Sequence, residues 1–161
     1  MDIILRKACL EDSEKILTWR NEPTTIHWMG TPRTLSFEEH HDWFTNSLHD
    51  ENCLFFIIEV DFEPIGQIRY HKNSEVIDNA AKVSINLTSK AHRRGIASIA
   101  FKKGNGLVRT LNFAKNIFAY VHLDNIGSIK AMENAGFLRT NIVEVHGIRH
   151  LVMIDKMKQE T

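Results

Sequence analysis

The sequence has almost no cysteine, no excess charge of either sign and no long apolar run, and each absence excludes a class of protein. Cys9 and Cys53 are far apart and form no CxxC pair, so neither a disulfide framework nor a cysteine metal site is expected. Basic and acidic residues number 20 each, so the bulk charge does not predict binding to nucleic acid or an anionic membrane. The amino-terminal segment MDIILRKACLEDSEK predicts neither a signal peptide nor a membrane span. We therefore expect a reduced, cytoplasmic protein.

Sequence signatures for metals and for nucleotide phosphates are also missing. None of the nine histidines forms an HExxH pattern, and the adjacent His40 and His41 would point about 100° apart on a helix. Neither GxGxxG nor GxxxxGK[ST] occurs. We expect no bound metal. Because no repeat, low-complexity tract or linker interrupts the 161 residues, one domain is predicted over residues 1–156, followed by a polar tail at 157–161.

The segment from Lys82 to Ser98, KVSINLTSKAHRRGIAS, organises the rest of the prediction. Apolar and polar residues alternate at its start, which indicates a half-buried strand, and a helix with one apolar face follows a polar loop. Arg93, Arg94 and Gly95 lie where this helix begins. Free backbone N–H groups, two guanidinium groups and a residue without Cβ predict an anion site, for a phosphate or pyrophosphate. An ordinary strand-to-helix turn with solvated arginines is the alternative.

The remaining pattern predicts a strand, two helices, three strands, a helix, a strand, a helix and two final strands. The first helix is expected at 11–21, capped by Asp12 or Ser13 and ended by Pro23, with a loop at 24–35. Ser36 and Glu39 form a predicted capping box. One strand is expected at 53–60, and a second begins at 65 after a turn at 62–64. A further strand is expected at 116–122, and the last two lie on either side of a turn at 146–147. Helices are expected to about 112 and over 125–135. A mixed sheet with helices on both faces fits this order, and its parallel strands should be those joined by the two late helices.

Two of these motifs resemble the GNAT superfamily of N-acetyltransferases, and the resemblance covers nearly the whole chain. The family signature [Q/R]-x-x-G-x-[G/A] corresponds to the segment from His92 to Ala97, where histidine replaces the first residue. The second motif, N-x-x-[S/A] followed by G-F, corresponds to Asn125–Ser128 and Gly136–Phe137. The resemblance implies an α/β fold, a mixed and mostly antiparallel sheet of about seven strands flanked by about four helices.

Acetyl-CoA is the cosubstrate that this resemblance implies. The N–H groups of the helix-opening loop would hold its pyrophosphate, and the pantetheine arm would pair with the strand that precedes the loop, in a gap where that strand splays from its neighbour after Asn116. Asn125 would hydrogen-bond the arm. Lys130 would reach a CoA phosphate, although a solvated helix lysine is the preferred alternative. The predicted coenzyme-binding residues are Ile85, Asn86, Leu87, Arg93, Arg94, Gly95, Ile96, Ala97, Ser98, Asn125 and Lys130.

The resemblance also implies direct attack of a neutral amine on the thioester. Many family members supply a tyrosine for the leaving thiolate, but Met132 stands at that position here, and a methionine cannot donate a proton. Ser128, one helical turn earlier, is the predicted catalytic residue as a hydrogen-bond donor or relay, and a small packing residue is its alternative. Ala80 and Ala81 occupy the region where the family often has a glutamate base. The candidates for that base are Asp78, Glu59, His40 and His71, but no motif positions any of them, and a water-mediated path is preferred.

The amino-terminal half should shape the acceptor pocket. The segments WRNEP, SFEEHHDWF and IGQIRY resemble a branch that includes the amino-sugar acetyltransferase of the pseudaminic-acid pathway and lies close to the ribosomal-protein N-terminal acetyltransferases. The acceptor is therefore expected to be a small-molecule amine, most simply a UDP-linked amino sugar. Aromatic and cationic residues suit such a ligand, and the candidates for the nucleotide are Trp28, Arg33, Trp43, Arg69 and Tyr70, although core packing at helical spacing is the preferred alternative for Trp43. Arg20, His27 and Trp28 lie at a loop and are the better pocket candidates.

Two other functions are left open. One is a protein N-terminal acetyltransferase of the ribosomal-protein type, and the other is a non-catalytic acyl-CoA-binding module. The neutral charge of the chain disfavours a basic ribosomal substrate. The motifs at Gly95 and Asn125 disfavour a module without activity. Neither nucleic acid nor membrane is an expected partner, and a homodimer is left open.

Overall fold

The computed structural model describes residues 1–29 and 32–158, so the last three residues of the predicted polar tail lie outside the described residues. Its seven strands are β1 Ile3–Lys7, β2 Cys53–Val60, β3 Glu63–Lys72, β4 Ala80–Leu87, β5 Asn116–His122, β6 Leu138–Val145 and β7 Ile148–Asp155. Its helices are α1 Ser13–Arg20, α2 Pro23–Ile26, α3 Phe37–His49, α4 Ile96–Thr110 and α5 Ile126–Asn134, with 3₁₀ turns at Leu10–Asp12 and Ser89–Ala91.

The strands form one sheet in the order β1-β2-β3-β4-β5-β7-β6, which confirms the predicted mixed, mostly antiparallel α/β fold. Among the described strands, only β4 and β5 pair in parallel, as expected for strands joined by α4. The strands joined by α5 are not neighbours, because β7 pairs antiparallel with both of them and lies between them. This part of the predicted topology is therefore wrong.

Two local predictions in the amino-terminal half are also wrong. The first helix begins at Ser13, and the Asp12 carboxylate does not cap it, because that group instead accepts hydrogen bonds from the Arg6 guanidinium and the Cys9 N–H. Pro23 begins α2 within the predicted loop, since proline at the first turn of a helix needs no N–H partner. The Ser36 capping box is confirmed, with its hydroxyl accepting from Glu39 N at 3.2 Å.

Two hydrophobic clusters cover the two faces of the sheet. The larger lies between the sheet and helices α4 and α5, and the smaller packs α1 and α3 on β2. Helix α4 ends at Thr110, and Leu111, which follows it, is exposed. Helix α3 packs against β2, and α1 packs against β3 and β4.

Candidate active site

The candidate site begins where β4 and β5 separate. Their pairing consists of three residue pairs and ends at Lys82 and Phe118, after which the β5-facing edge of β4 has no strand partner among the described residues. A cavity of about 720 Å³ lies at this gap, bounded by both strands, by α2 and by the starts of α4 and α5. The splayed strands therefore leave unpaired backbone groups along one wall of a volume large enough for a small ligand.

The loop that opens α4 has the backbone form of an anion site. Arg93 has φ 62° and Gly95, the N-cap residue, has φ 73°, so two left-handed residues lie on either side of Arg94, and the right-handed residues of α4 follow Gly95 directly. A left-handed residue next to right-handed ones turns successive N–H groups toward one point. His92, which departs from the family pattern, donates from Nε2 to the Leu87 carbonyl at 3.1 Å. This hydrogen bond ties the loop to the end of β4.

The start of α5 lies across the gap from this loop. Asn125 caps the helix by accepting the Ser128 N–H on its Oδ1 at 3.3 Å, and its side-chain NH2 has no partner within residues 1–29 and 32–158. Ser128 is half-buried and lines the cavity, with the buried Met132 one turn further along. The structure thus brings the predicted amide donor and the predicted hydroxyl to the same wall.

Among the residues predicted for the coenzyme, for catalysis and for the amine pocket, most line this one cavity, while Arg20, His27 and Arg94 do not. The lining includes Trp28, Ile85, Asn86, Leu87, Arg93, Gly95, Ile96, Ala97, Ser98, Asn125, Ser128 and Lys130. Arg20 donates to the Arg33 carbonyl at 3.1 Å, and His27 stacks edge-on against Trp28 with ring centroids 4.4 Å apart. The Arg94 guanidinium lies 3.7 Å from the Met1 sulfur. The roles assigned to the predicted residues stay predictions.

None of the four base candidates lines the cavity. Glu59 is hydrogen-bonded to Arg6 at 3.1 Å, and the His71 ring lies 3.4 Å from the Asp50 carboxylate. His40, on α3, is buried and stacks on Phe44, and burial lowers its pKa. Asp78 lies in the turn before β4, and its carbonyl accepts from the Asn116 side chain.

Gln67, His122 and His150 are among the polar side chains that line the cavity and have no role predicted from the sequence. Gln67 is 8% exposed and its Oε1 has no hydrogen-bond partner in the described parts of the chain. His122 and His150 are register partners on β5 and β7, with ring centroids 5.8 Å apart. Strand alternation could have placed Gln67, Arg69 and His71 on one face, but only knowledge of the strand order pairs the two histidines.

Helix α2 closes the cavity from the amino-terminal side. The Glu22 carboxylate accepts hydrogen bonds from the Thr88 hydroxyl at 2.8 Å and from the Ser89 N–H at 2.9 Å, and Thr25 donates to the Asn86 side chain. These contacts fix α2 over the end of β4. Trp28 follows the helix and packs edge-on against the His122 ring at 5.1 Å.

A second cavity, of about 460 Å³, shares Arg69 and Ser84 with the first. Arg69 packs its guanidinium over the Trp43 ring at 4.9 Å, and its Nε is buried with no hydrogen-bond partner in the described chain. Lys82 lies over the Tyr120 ring at 4.7 Å. Burial lowers the pKa of both cations. Neither forms an ion pair with a carboxylate within residues 1–29 and 32–158.

Two residues proposed for a nucleotide are engaged elsewhere. Tyr70 is fully buried on the opposite face of the sheet, where its hydroxyl donates to Asn105 at 2.7 Å, so its assignment to the acceptor pocket is wrong. Arg33 is ion-paired with Glu39 at 2.7 Å on the surface. Trp43 and Arg69, by contrast, lie together in the second cavity.

The described residues contain neither a metal-ion cluster nor a membrane-spanning helix. No cluster of three or more histidine, cysteine, aspartate or glutamate side chains is placed to hold a metal ion. No described helix has the length and apolarity that crossing a membrane requires.

Comparison with known proteins agrees with this geometry. The acetyltransferase (GNAT) domain family matches residues 2–138. The acetyltransferase PseH of Campylobacter jejuni subsp. jejuni is 27% identical over 136 residues, which cover 79% of this chain and 77% of that protein.

Solved structures share the fold at low sequence identity. The aminoglycoside acetyltransferase AAC(6')-Ib, in complex with coenzyme A and kanamycin, has a TM-score of 0.83 at 15% identity, covering 96% of this chain and 95% of that one. It has also been solved with acetyl-CoA. A ribosomal-protein-alanine N-acetyltransferase from Brucella melitensis has a TM-score of 0.80 at 16% identity, covering 96% and 99% of the two chains.

Proposed function

The chain belongs to the GNAT family of acetyl-CoA-dependent N-acetyltransferases, and from that premise we propose that its acceptor is the amino group of a sugar linked to a nucleoside diphosphate. The reaction forms a C–N bond between the acceptor amine and the acetyl carbonyl carbon and breaks the C–S bond to coenzyme A. The acceptor is the new element of this proposal.

The residues at the β4–β5 gap fit the coenzyme. In this proposal, the N–H groups from Arg93 to Ser98 hold its diphosphate, because their left-handed bends aim them at one point and the positive end of α4 lies behind them. The unpaired edge of β4, from Ile85 to Leu87, accepts the extended arm as an additional strand. Asn125 donates its free NH2 to that arm. Acetyl-CoA supplies the activated acetyl group.

The observation that carries the acceptor proposal is the second cavity. Its two cations, Arg69 and Lys82, have no carboxylate partner in the described chain, and each lies over an aromatic ring. The Asp50 carboxylate also lines this cavity, but it lies 3.4 Å from the His71 ring and forms no ion pair with either cation. An unpaired cation in such a cavity favours an anionic ligand, since each charge-assisted hydrogen bond to it is worth about 1.5–3 kcal/mol. Trp43 adds an aromatic surface beside them. A diphosphate joined to a flat base matches this arrangement.

The geometry connects this anion site to the reaction centre. Arg69 and Ser84 border both cavities, so a ligand with its diphosphate at Arg69 extends its sugar toward the β4–β5 gap. The unpaired Gln67 Oε1, two residues along the same strand face, is an acceptor for a sugar hydroxyl or for the amine. The same two cations repel the basic amino-terminal segments that a ribosomal-protein acetyltransferase would bind.

A panel assay of coenzyme A release tests the acceptor. We expect turnover with UDP-linked amino sugars, weaker turnover with the same sugars lacking the nucleotide, and none with amino-terminal peptides of ribosomal proteins. Preference for the peptides would overturn the proposal, and so would an absence of turnover with every nucleotide-linked sugar.

Charge-removing variants locate the nucleotide. Arg69→Met and Lys82→Met should each raise the KM for the nucleotide-linked sugar about tenfold or more, because the loss of one charge-assisted hydrogen bond exceeds about 1.4 kcal/mol. The KM for the free amino sugar should change little. Arg33→Met is the matched control, since Arg33 is an exposed arginine paired with Glu39, and it should leave both constants unchanged.

A further inference from the structure

We propose that His150 is the general base of the acetyl transfer and that His122, its register partner, is a hydrogen-bond donor rather than a second base. Hydrogen bonds that fix the proton positions on the two rings carry this assignment. It rests on the transfer of acetyl to an amine and does not require the amine to be on a nucleotide-linked sugar.

The tautomer of His150 follows from one main-chain contact. Its Nδ1 lies 2.9 Å from the Ile148 carbonyl oxygen, which can only accept, so Nδ1 carries the hydrogen. The neutral ring then has its lone pair on Nε2. His150 is 9% exposed and lines the 720 Å³ cavity, and its Nδ1 is bonded to the main chain, so Nε2 is the ring nitrogen left to accept a proton from an amine bound there.

The tautomer of His122 is the opposite. Its Nδ1 lies 3.1 Å from the Asp124 main-chain nitrogen, which can only donate, so Nδ1 accepts and Nε2 carries the hydrogen. A neutral ring in this state offers the cavity a donor, suited to a substrate hydroxyl or a water molecule. Two adjacent histidines therefore present one acceptor and one donor.

Other groups near the cavity do not compete for this role. The described residues that line it include no aspartate or glutamate. His92 is the third histidine there, but it lies in the exposed loop at the start of α4, predicted to hold the diphosphate. The titratable Tyr120 also lines the cavity, but its hydroxyl donates to the Glu75 carboxylate, and the other charged lining groups are the cations Arg69, Arg93 and Lys130. The His122 ring on β5 lies next to His150, with its Nδ1 3.9 Å from the exposed Asp124 carboxylate, and the register partner of His150 on β6 is the uncharged Val143.

The proton balance is simple. His150 Nε2 removes one proton from the acceptor ammonium, either directly or through one water molecule, and passes it to solvent. The neutral amine attacks the acetyl carbon, and its remaining excess proton goes to the leaving sulfur as the C–S bond breaks. The products are the N-acetyl amine, coenzyme A and one released proton.

Kinetics of matched variants test the base. His150→Gln should lower kcat about 100-fold or more, as removal of a general base does, with the calorimetric affinity for acetyl-CoA unchanged. His122→Gln should lower kcat by about tenfold or less, because a glutamine amide still donates. Added imidazole should restore activity to His150→Ala, and a packing role would show no such rescue. A kcat for His150→Gln within threefold of the parent protein would overturn the proposal.

Nuclear magnetic resonance of the whole protein, labelled with nitrogen-15 in its histidines, gives a readout that needs no acceptor. We expect the hydrogen on Nδ1 of His150 and on Nε2 of His122. Finding the hydrogen on Nε2 of His150 would remove its lone pair from the cavity and refute the assignment. This measurement separates a wrong base from a wrong acceptor, since it stands even if no nucleotide-linked sugar is turned over.

Discussion

Replacing Gly95 by valine should weaken acetyl-CoA binding strongly while the domain stays folded. Gly95 has φ 73°, in the left-handed region, where a residue with a Cβ is destabilised by about 1–2 kcal/mol and a β-branched residue by more. No atom lies within 4 Å of the position that a Cβ would take, so the cost is entirely in the backbone. The bend can relieve this strain only by turning its N–H groups away from their common point.

The expected size of the effect follows from that strain. If the bend must be restored to bind the diphosphate, each 1.4 kcal/mol of strain lowers the affinity about tenfold. A valine that also projects into the open space at the bend adds to this loss. We therefore expect a decrease in calorimetric affinity of at least about tenfold, with a midpoint of thermal unfolding lower by about 2–8 °C.

Gly147 provides a matched control within the same chain. It has φ 78°, it also has nothing within 4 Å of its Cβ position, and it lies in the turn between β6 and β7. Gly147→Val should lower thermal stability by a similar amount and leave acetyl-CoA affinity unchanged. Gly95→Asn should retain most of the affinity, because asparagine tolerates left-handed φ. Parent-like affinity of Gly95→Val, or an equal loss in Gly147→Val, would refute the anion-site interpretation.

Other predictions concern the hydroxyl in the gap and the stability of the scaffold. Ser128→Ala should lower kcat about tenfold in the coenzyme A release assay with little change in coenzyme affinity, and a fully active variant would leave the serine a packing role. In urea titrations, Gly104→Ala should lower the free energy of unfolding by about 1–3 kcal/mol, because the added Cβ would overlap the Tyr70 hydroxyl. Gly106 lies exposed on the same helix, so Gly106→Ala should raise the free energy of unfolding by up to about 1 kcal/mol, since alanine favours a helix more than glycine does. Burial alone would raise the pKa of Asp12, but hydrogen bonds from its guanidinium partner and a backbone N–H outweigh it, and the pKa is lowered. The ionised Asp12 carboxylate therefore stabilises the fold above about pH 4, and this contribution is lost as the pH falls through the lowered pKa. In Asp12→Asn, the free energy of unfolding should depend less on pH on the acid side than it does in the parent protein.

The sequence predicted the elements of the coenzyme side because local signals determine them. The strand period up to Thr88, the glycine at a helix start and the Asn125 cap are short-range features, and the structure places them at one gap. The acceptor side is different. Its histidines meet only because β7 inserts between β5 and β6, and no local pattern specifies that order.

The errors have equally specific causes. From the sequence, Pro23 was predicted to end a helix, but a proline ring also suits the first turn of a new helix. Contacts of Glu22 and Thr25 with distant residues favour the new helix, and the sequence does not reveal them. Tyr70 alternates with Arg69 along a strand and so lies on the opposite face, where Asn105 satisfies its hydroxyl. Assigning both to one pocket contradicted the strand period.

Glu22 touches both halves of the site at once, and this has a thermodynamic consequence. Its carboxylate belongs to the segment that bounds the 720 Å³ cavity, and it accepts hydrogen bonds from Thr88 and Ser89, just before the loop proposed to hold the coenzyme. In the proposed complex, a coenzyme that stiffens that loop also orders the cavity wall formed by α2, and linkage requires the affinities for coenzyme and acceptor to change by the same factor. A substitution in α2 that is meant to alter acceptor preference will therefore also register in a coenzyme titration.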